Sequence, residues 1–148
     1  MAEIKISALT AKGASLEKTD LLVISDYNGS GYDSKSVTGA NILNPRVQSV
    51  TSSATVTADA DANDLVVITA QAAGLTLANP TGTPVQGQPL MIRIKDNGTS
   101  RSITYGSQFR AIGVTLPTAT TISKTTYLGC VYNSTDTKWD VVGVNTEA

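Results

Sequence analysis

The stretch PLMIRIKDNGTSRSITY, residues 89–105, is the clearest indication of the fold in this sequence. In its first half, aliphatic side chains alternate with exposed-type ones, a period of two that is typical of a strand with one buried face. The inward set would be Leu90, Ile92 and Ile94, and the outward set Met91, Arg93 and Lys95. The tripeptide Asp96-Asn97-Gly98 then predicts a hairpin turn, because Asn-Gly favours the tight turns that join antiparallel strands. A second strand is expected over residues 100–105.

Similar short patterns recur through the rest of residues 47–148, with turn residues between them. Further strands are predicted at residues 54–61, 65–69, 75–77, 114–116, 126–132 and 138–144. The last two would be joined by a turn at residues 133–137. Short strands at this spacing predict an all-β chain, with a compact antiparallel domain of the β-sandwich or jelly-roll kind over residues 47–148.

The composition indicates a folded chain whose hydrophobic core buries little area. Of 148 residues, 41% are hydrophobic, 16% are charged and only 5% are aromatic, so the core must be built from Val, Ile, Leu and Ala. A domain of about a hundred residues buries only a modest area. We therefore expect neighbouring copies to supplement the core, and we predict an oligomer.

Residues 1–46 differ from the remainder and are interpreted as an arm. A compact apolar run over residues 21–25 leads through Asn28-Gly29 to a second strand, which gives a small hairpin. Thr38 can cap one helical turn over residues 39–43, which Asn44-Pro45 ends. A two-stranded unit of this size is marginal alone and needs a partner surface. The predicted contact residues are Ile4, Ile6, Leu9, Leu21, Leu22, Val23, Ile24, Ile42 and Leu43.

The residue types argue against catalysis. The chain has no histidine, so Ser-His-Asp and Cys-His mechanisms and histidine metal ligands are excluded. Cys130 is the single cysteine, and it is expected to be a small apolar core residue. No Gly-rich phosphate-binding motif occurs. We predict no enzyme activity, no catalytic residues and no cofactor.

One acidic segment deserves comparison with a calcium loop. Asp59, Asp61 and Asn63 place oxygens at alternate positions, but Asp64 stands where the sharp-turn glycine should be and Ala70 where the bidentate glutamate should be. A polar turn is the favoured interpretation, and a bound cation is the alternative.

Aromatic residues near the end of the chain raise a second possibility. Tyr127, Tyr132 and Trp139 lie on the last two predicted strands, where a flat ring could stack on a sugar. The favoured interpretation is that Trp139 and Tyr127 pack in the core or across strands. The three Asn-x-Ser/Thr sequons, at Asn28, Asn97 and Asn133, are interpreted as turn residues.

Charge and targeting signals narrow the class of partner. The net charge is −1 and the eleven basic residues are scattered, which predicts no nucleic-acid partner. No apolar run approaches the length of about 20 residues that spans a bilayer, so no membrane partner is expected. The start of the sequence has neither the basic nor the apolar region of a signal peptide, which predicts synthesis in a reducing cytoplasm.

Three blocks of the opening segment resemble the amino-terminal attachment segment of tailed-bacteriophage appendage proteins, such as head fibres, capsid decoration proteins and tail fibres. They are Lys5-Ile6-Ser7-Ala8-Leu9-Thr10 with Gly13, then Thr19-Asp20-Leu21-Leu22, then Ser34-Lys35-Ser36-Val37-Thr38-Gly39-Ala40 with Ile42-Leu43. The blocks occur in the same order with similar gaps and cover about a third of the chain.

The resemblance implies a structural protein on the exterior of a phage particle, made in the host cytoplasm and usually a homotrimer. Residues 1–46 would be the virion-attachment arm, bound to the major capsid protein or another virion protein, and residues 47–148 the displayed β domain. Because only about a hundred residues follow the segment, a short head fibre or decoration protein is favoured. A tail-associated protein that binds cell-surface glycan is the alternative.

Overall fold

The computed structural model describes residues 19–148, apart from the side chains of Asn41 and Leu43. Chain contacts divide it into two compact units, the first ending at Asn44 and the second running from Pro45 to Ala148. The predicted boundary lay after residue 46. Arg46 makes its hydrogen bonds in the second unit, where its backbone nitrogen donates to the Asp64 carboxylate over 2.9 Å.

The described residues are mostly β-structure. In chain order the elements are β1 (Leu21–Tyr27), β2 (Tyr32–Thr38), α1 (Gly39–Leu43), β3 (Val47–Val50), β4 (Thr55–Val56), β5 (Leu65–Gln71), β6 (Leu75–Leu77), β7 (Pro89–Asp96), β8 (Ile103–Tyr105), β9 (Phe109–Ala111), β10 (Thr125–Asn133) and β11 (Lys138–Thr146).

The first unit contains the predicted hairpin and helical turn. β1 and β2 pair antiparallel from Leu21 opposite Thr38 to Tyr27 opposite Tyr32. The Asn28 side-chain oxygen accepts hydrogen bonds from the backbone nitrogens of Ser30 and Gly31, and Gly29 has a φ of 92°, a left-handed conformation that favours glycine. The five-residue α1 closes with a hydrogen bond from Asn44 N to Ala40 O.

The second unit has two sheets, and the expectation that it is antiparallel throughout is wrong. The six-stranded sheet has the order β3-β5-β7-β10-β11-β9, and the three-stranded sheet has the order β4-β6-β8. The pairs β3–β5, β5–β7 and β9–β11 are parallel, and so are both pairs of the smaller sheet. Only β7–β10 and β10–β11 are antiparallel within this unit's described strands.

The chain alternates between the two sheets from β3 to β8, which explains the parallel pairing. Parallel neighbours need a long crossover, usually a helix. Here a strand of the three-stranded sheet occupies that crossover: β4 lies between β3 and β5 in sequence, and β6 lies between β5 and β7. Each pass through both sheets therefore brings the chain back beside the previous pass, pointing the same way.

The Asp96-Asn97-Gly98 turn joins strands of different sheets, so the predicted hairpin is wrong. Asp96 is buried, and its carboxylate accepts hydrogen bonds from Gly98 N at 2.7 Å, Ser123 N at 2.9 Å and Thr120 Oγ1 at 2.6 Å. These bonds hold the turn against the segment that precedes β10. A local reversal of the chain is the same in a hairpin and in a connection between sheets, so the turn residues alone do not distinguish them.

One hydrophobic cluster draws side chains from both sheets. In β7 the burial alternates as expected, with Leu90, Ile92 and Ile94 buried and Met91 exposed. The cluster is aliphatic apart from two aromatic residues, and consists of Val56, Ala58, Ala60, Val66, Ile68, Leu75, Leu77, Leu90, Ile92, Ile94, Ile103, Phe109, Leu128, Cys130, Trp139 and Val141. Burial at every second residue from Val56 to Ala60 confirms the alternation predicted there.

Two segments near β9 differ from prediction. Residues 114–116 do not form a strand, although Val114 and Leu116 pack against the core from an irregular segment. Phe109–Ala111 was not predicted as a strand and pairs with β11. The hairpin of β10 and β11 is confirmed, with Asn133 opposite Lys138.

Candidate functional site

The hairpin of the first unit exposes apolar side chains on both of its faces. Leu21 and Val23 lie on one face with 67% and 68% of their surface exposed. Leu22 and Ile24 lie on the other face with 36% and 40% exposed. Side chains of successive strand residues point to opposite faces, so β1 exposes apolar side chains on both of its faces.

The second strand of the hairpin, β2, places polar residues opposite the exposed apolar residues of β1. Leu21 is opposite Thr38 and Val23 is opposite Ser36, so the apolar side chains are concentrated on β1. Toward the turn, Lys35 and Asp26 form an ion pair, and the exposed rings of Tyr27 and Tyr32 lie with their centres 5.2 Å apart. The exposed aliphatic surface is therefore at the base of the hairpin, whereas two exposed aromatic rings flank its turn.

The remaining predicted contact residues have different outcomes. Ile42 in α1 is 52% exposed. The side chain of Leu43 is not described, and Ile4, Ile6 and Leu9 lie outside the described residues.

A second candidate site lies on the outer face of the six-stranded sheet, the face opposite the core. Arg93, Tyr127 and Asn145 form a row across β7, β10 and β11, since Tyr127 pairs with Arg93 on one side and with Asn145 on the other. This row borders a cleft of about 560 Å³, which we call the tyrosine cleft; it is lined by Arg93, Lys95, Thr125, Tyr127, Asn145, Thr146 and Glu147.

A neighbouring row of the same sheet contains two paired glycines. Met91, Gly129 and Gly143 lie opposite one another on the same three strands. They border a space of about 400 Å³, here called the glycine pocket, which is lined by Met91, Tyr127, Gly129, Val142, Gly143 and Asn145. Tyr127 and Asn145 belong to both spaces, so the tyrosine cleft and the glycine pocket are adjacent.

The charges in the tyrosine cleft do not cancel. Lys95 Nζ lies 3.3 Å from a Glu147 carboxylate oxygen, and that carboxylate also accepts a hydrogen bond from Thr125 N. These contacts with Thr125 and Lys95 hold the pKa of Glu147 below its usual value. Among residues 19–148, Arg93 has no ion pair, and its Nε is shielded from solvent without a hydrogen-bond partner. One positive charge is thus left without a counterpart.

The three aromatic residues that were candidates for stacking on a sugar differ in how far they are buried. Trp139 is buried, with 1% of its surface exposed, and its ring centre lies 5.1 Å from that of Tyr132. The core interpretation of Trp139 is confirmed. Tyr127 is 42% exposed on the outer face, so it does not pack in the core. Of the three, only Tyr127 is placed to stack on a ligand.

The acidic segment is occupied with the chain's own hydrogen bonds. Asp61 Oδ1 accepts from Thr83 N at 2.9 Å, and Asp59 Oδ1 accepts from Asp61 N at 3.0 Å. Asp64 pairs with Arg46, whose side-chain hydrogen bond holds the pKa of Asp64 below its usual value. Within the described part of the chain, no group of three or more cysteine or acidic side chains is arranged to hold a metal ion.

The Cys130 thiol and the Arg110 guanidinium are both groups that can take part in chemistry, but their contacts fit a structural role. Burial raises the pKa of Cys130 to about 12, so the thiol is protonated at neutral pH. Arg110 bonds Asp140 through Nε at 2.7 Å and Asp136 through a terminal nitrogen at 2.8 Å, and the pKa of Asp140 is lowered by the first of these bonds. Across residues 19–148, no helix has both the length and the apolar character needed to cross a membrane.

Sequence reasoning missed the glycine pair and the role of Arg93 in the tyrosine cleft. The outward direction of Arg93 was predicted from the alternation in β7, and Gly129 was placed in a strand. A glycine inside a strand can mark the close approach of a ligand, and two of them were available as a signal. Their juxtaposition depends on register across three strands.

Comparison of the chain with models of protein families, with curated proteins and with solved structures found no match.

Proposed function

We propose that this protein is a structural component of a bacteriophage particle, a short head fibre or capsid decoration protein. In this proposal residues 1–44 attach it to the major capsid protein or another virion protein, and the second unit is displayed on the particle exterior. The observation that carries the proposal is the exposure of Leu21 and Val23, each more than two-thirds exposed on a two-stranded hairpin.

Energetics support an external partner for this hairpin. A side chain of this size gains about 1.5–3 kcal/mol when it passes from full exposure to full burial. A lone hairpin is marginal in water, so it gains stability chiefly from a surface that covers it. The resemblance of the opening segment to phage attachment segments supports a virion protein as that surface.

The attachment proposal predicts that single aspartates on the hairpin abolish binding to the particle. Leu21→Asp and Val23→Asp put a charge at positions that are about two-thirds exposed, so the protein should fold normally. Burying that charge against a partner costs several kcal/mol, enough to reduce occupancy at least about a hundredfold. Particles that lack the protein are mixed with each variant, pelleted, and the bound protein is quantified.

The matched control is Ser30→Asp, which adds the same charge to an exposed polar position in the hairpin turn, outside the three blocks of the attachment segment. It should bind like the unmodified protein if the partner covers β1. A chain that begins at Pro45 keeps the Arg46–Asp64 pair and should not bind. If this shortened chain or Val23→Asp binds like the full chain, the anchoring role is wrong.

The proposal also includes a homotrimer, because the core of the second unit is aliphatic and thin. Light scattering of the full chain at micromolar concentration should give three times the chain mass of 15.3 kDa. The same ratio is expected for copies per attachment point in images of the particle. A monomer in both measurements would contradict the trimer without touching the attachment proposal.

A second candidate is a tail-associated receptor-binding protein that takes cell-surface glycan. The observation that favours it is the half-exposed Tyr127 between Arg93 and Asn145. An image of the particle that places this chain on the head or on the tail decides between the two.

A further inference from the structure

We propose that the tyrosine cleft and the glycine pocket form one binding site for a saccharide that carries a carboxylate. The inference rests on the second candidate function, to which it adds the site and the ligand chemistry. It does not involve the hairpin, so it can fail or succeed independently of particle attachment.

The glycine pair is the first observation, and it adjoins a β-bulge, since the register of β10 against β11 shifts between Gly129 and Cys130. Neither Gly129 nor Gly143 has a positive φ, so the backbone does not require glycine there. A Cβ at Gly143 would meet no atom within 4 Å, and one at Gly129 would make only ordinary contacts, the nearest being Met91 at 3.9 Å. Glycine weakens a strand, and a ligand that approaches the backbone is a recurring reason for it.

The second observation is the mixture of groups around the opening. Tyr127 offers an aromatic ring that is 42% exposed, and Met91 and Val142 add apolar surface beside it. Asn145 supplies an amide that both donates and accepts hydrogen bonds. A sugar ring has an apolar face edged by hydroxyls, which suits one flat ring beside amide and hydroxyl groups.

The third observation is the uncompensated charge of Arg93. Glu147 is paired with Lys95, whereas Arg93, which also lines the cleft, has no ion pair among residues 19–148. A carboxylate can accept two parallel hydrogen bonds from a guanidinium. An acidic sugar would therefore neutralise the charge of Arg93, which a neutral sugar would not.

The size of the site favours a small ligand over a second copy of the chain. The two spaces, about 560 Å³ and about 400 Å³, fall in the range of ligand pockets, which is about 300–1,000 Å³. A contact between copies would instead use a broad surface of about 800 Å² per partner.

The test uses the full chain and ligand-observed NMR with galacturonate, glucuronate and N-acetylneuraminate, each compared with uncharged galactose. At least one acidic sugar should bind with a dissociation constant on the order of 1 mM, as expected for a ligand of this size. Galactose should bind about tenfold more weakly, because it lacks the charge-assisted bond.

Substitutions at three positions locate the site. Arg93→Gln should weaken binding of the acidic sugar about tenfold, and the protein should no longer prefer that sugar to galactose. Tyr127→Ala should weaken both kinds of sugar, while Tyr127→Phe should retain binding because it keeps the ring. Gly143→Val places a side chain in the open space and should block binding while leaving the melting temperature unchanged or higher.

The matched control is Arg101→Gln, since Arg101 is also half-buried with an unpartnered Nε but does not line the cleft. It should bind sugars normally, and Arg93→Gln should attach to particles normally. Absence of signal from all three acidic sugars overturns the inference. The inference is also overturned if Arg93→Gln binds acidic sugars as well as the unmodified protein does. It is overturned as well if Gly143→Val changes the molecular mass in solution and no sugar signal is seen, because the face would then be a contact between copies.

Discussion

Replacing Trp139 with alanine is expected to reduce the free energy of unfolding by about 3–5 kcal/mol, the usual cost of truncating a large buried aromatic residue. Trp139 is 1% exposed and contacts the Tyr132 ring at a centroid distance of 5.1 Å. It pairs with Phe109 in the parallel ladder of β9 and β11. Its removal would therefore leave a cavity where a mostly aliphatic core has its largest side chain.

The measurement is urea denaturation followed by far-ultraviolet circular dichroism, because this substitution removes the only tryptophan fluorophore. The control is Ile122→Ala, which truncates a side chain that is 57% exposed and should change stability by less than about 0.5 kcal/mol. A Trp139→Ala variant within 1 kcal/mol of the unmodified protein, by the scale of core truncations, would show that Trp139 is not packed in the core.

Replacing Asp96 with alanine is expected to cost about 3 kcal/mol, because it leaves one buried and two partly buried hydrogen bonds without their acceptor. The affected groups are Gly98 N, Ser123 N and the Thr120 hydroxyl. Asp96 is 3% exposed, so water replaces these bonds poorly. The surface pair provides a contrast: Asp136→Ala removes an exposed partner of Arg110 and should cost no more than about 1 kcal/mol.

Asp96 should also contribute to loss of stability in acid. Burial by itself would raise the pKa of Asp96, but the bonds from Thr120, Ser123 and Gly98 outweigh it, so the pKa is lowered on folding. A group with a lowered folded pKa stabilises the protein above its unfolded pKa of about 3.9. That stability is lost as the pH falls through the folded pKa.

An Asp96→Asn variant separates this effect from the other carboxylates. It should be less stable than the unmodified protein at pH 7, and the difference should shrink as the pH is lowered from about 4 toward the folded pKa. Urea titrations at several pH values measure the difference directly. A difference that stays constant from neutral to strongly acidic pH would contradict a charged, hydrogen-bonded Asp96.

The predicted attachment residues illustrate what local sequence can and cannot reveal. The apolar run of β1 and the Asn28-Gly29 turn predict a hairpin, and both are found. The exposure of Leu21 and Val23 follows from the hairpin having only two strands, of which β2 is polar. Which surface covers them depends on a partner, so sequence supports that step through resemblance alone.

The sequence by itself determined the positions of most strands in the second unit and the side of each that is buried. The alternation in β7 is a local property, because successive side chains of a strand point to opposite faces wherever that strand lies. Tertiary structure alone decided which strands are neighbours. Asp96-Asn97-Gly98 specifies a reversal of the chain, but the strands on either side of it belong to different sheets, and a hydrogen bond from Thr120 to the buried Asp96 holds the turn in place.

The row of Arg93, Tyr127 and Asn145 exists for the same reason. These residues are far apart in sequence and come together only through the register of β7, β10 and β11. Register depends on which apolar faces share the core, a condition set by all strands at once rather than by any one segment.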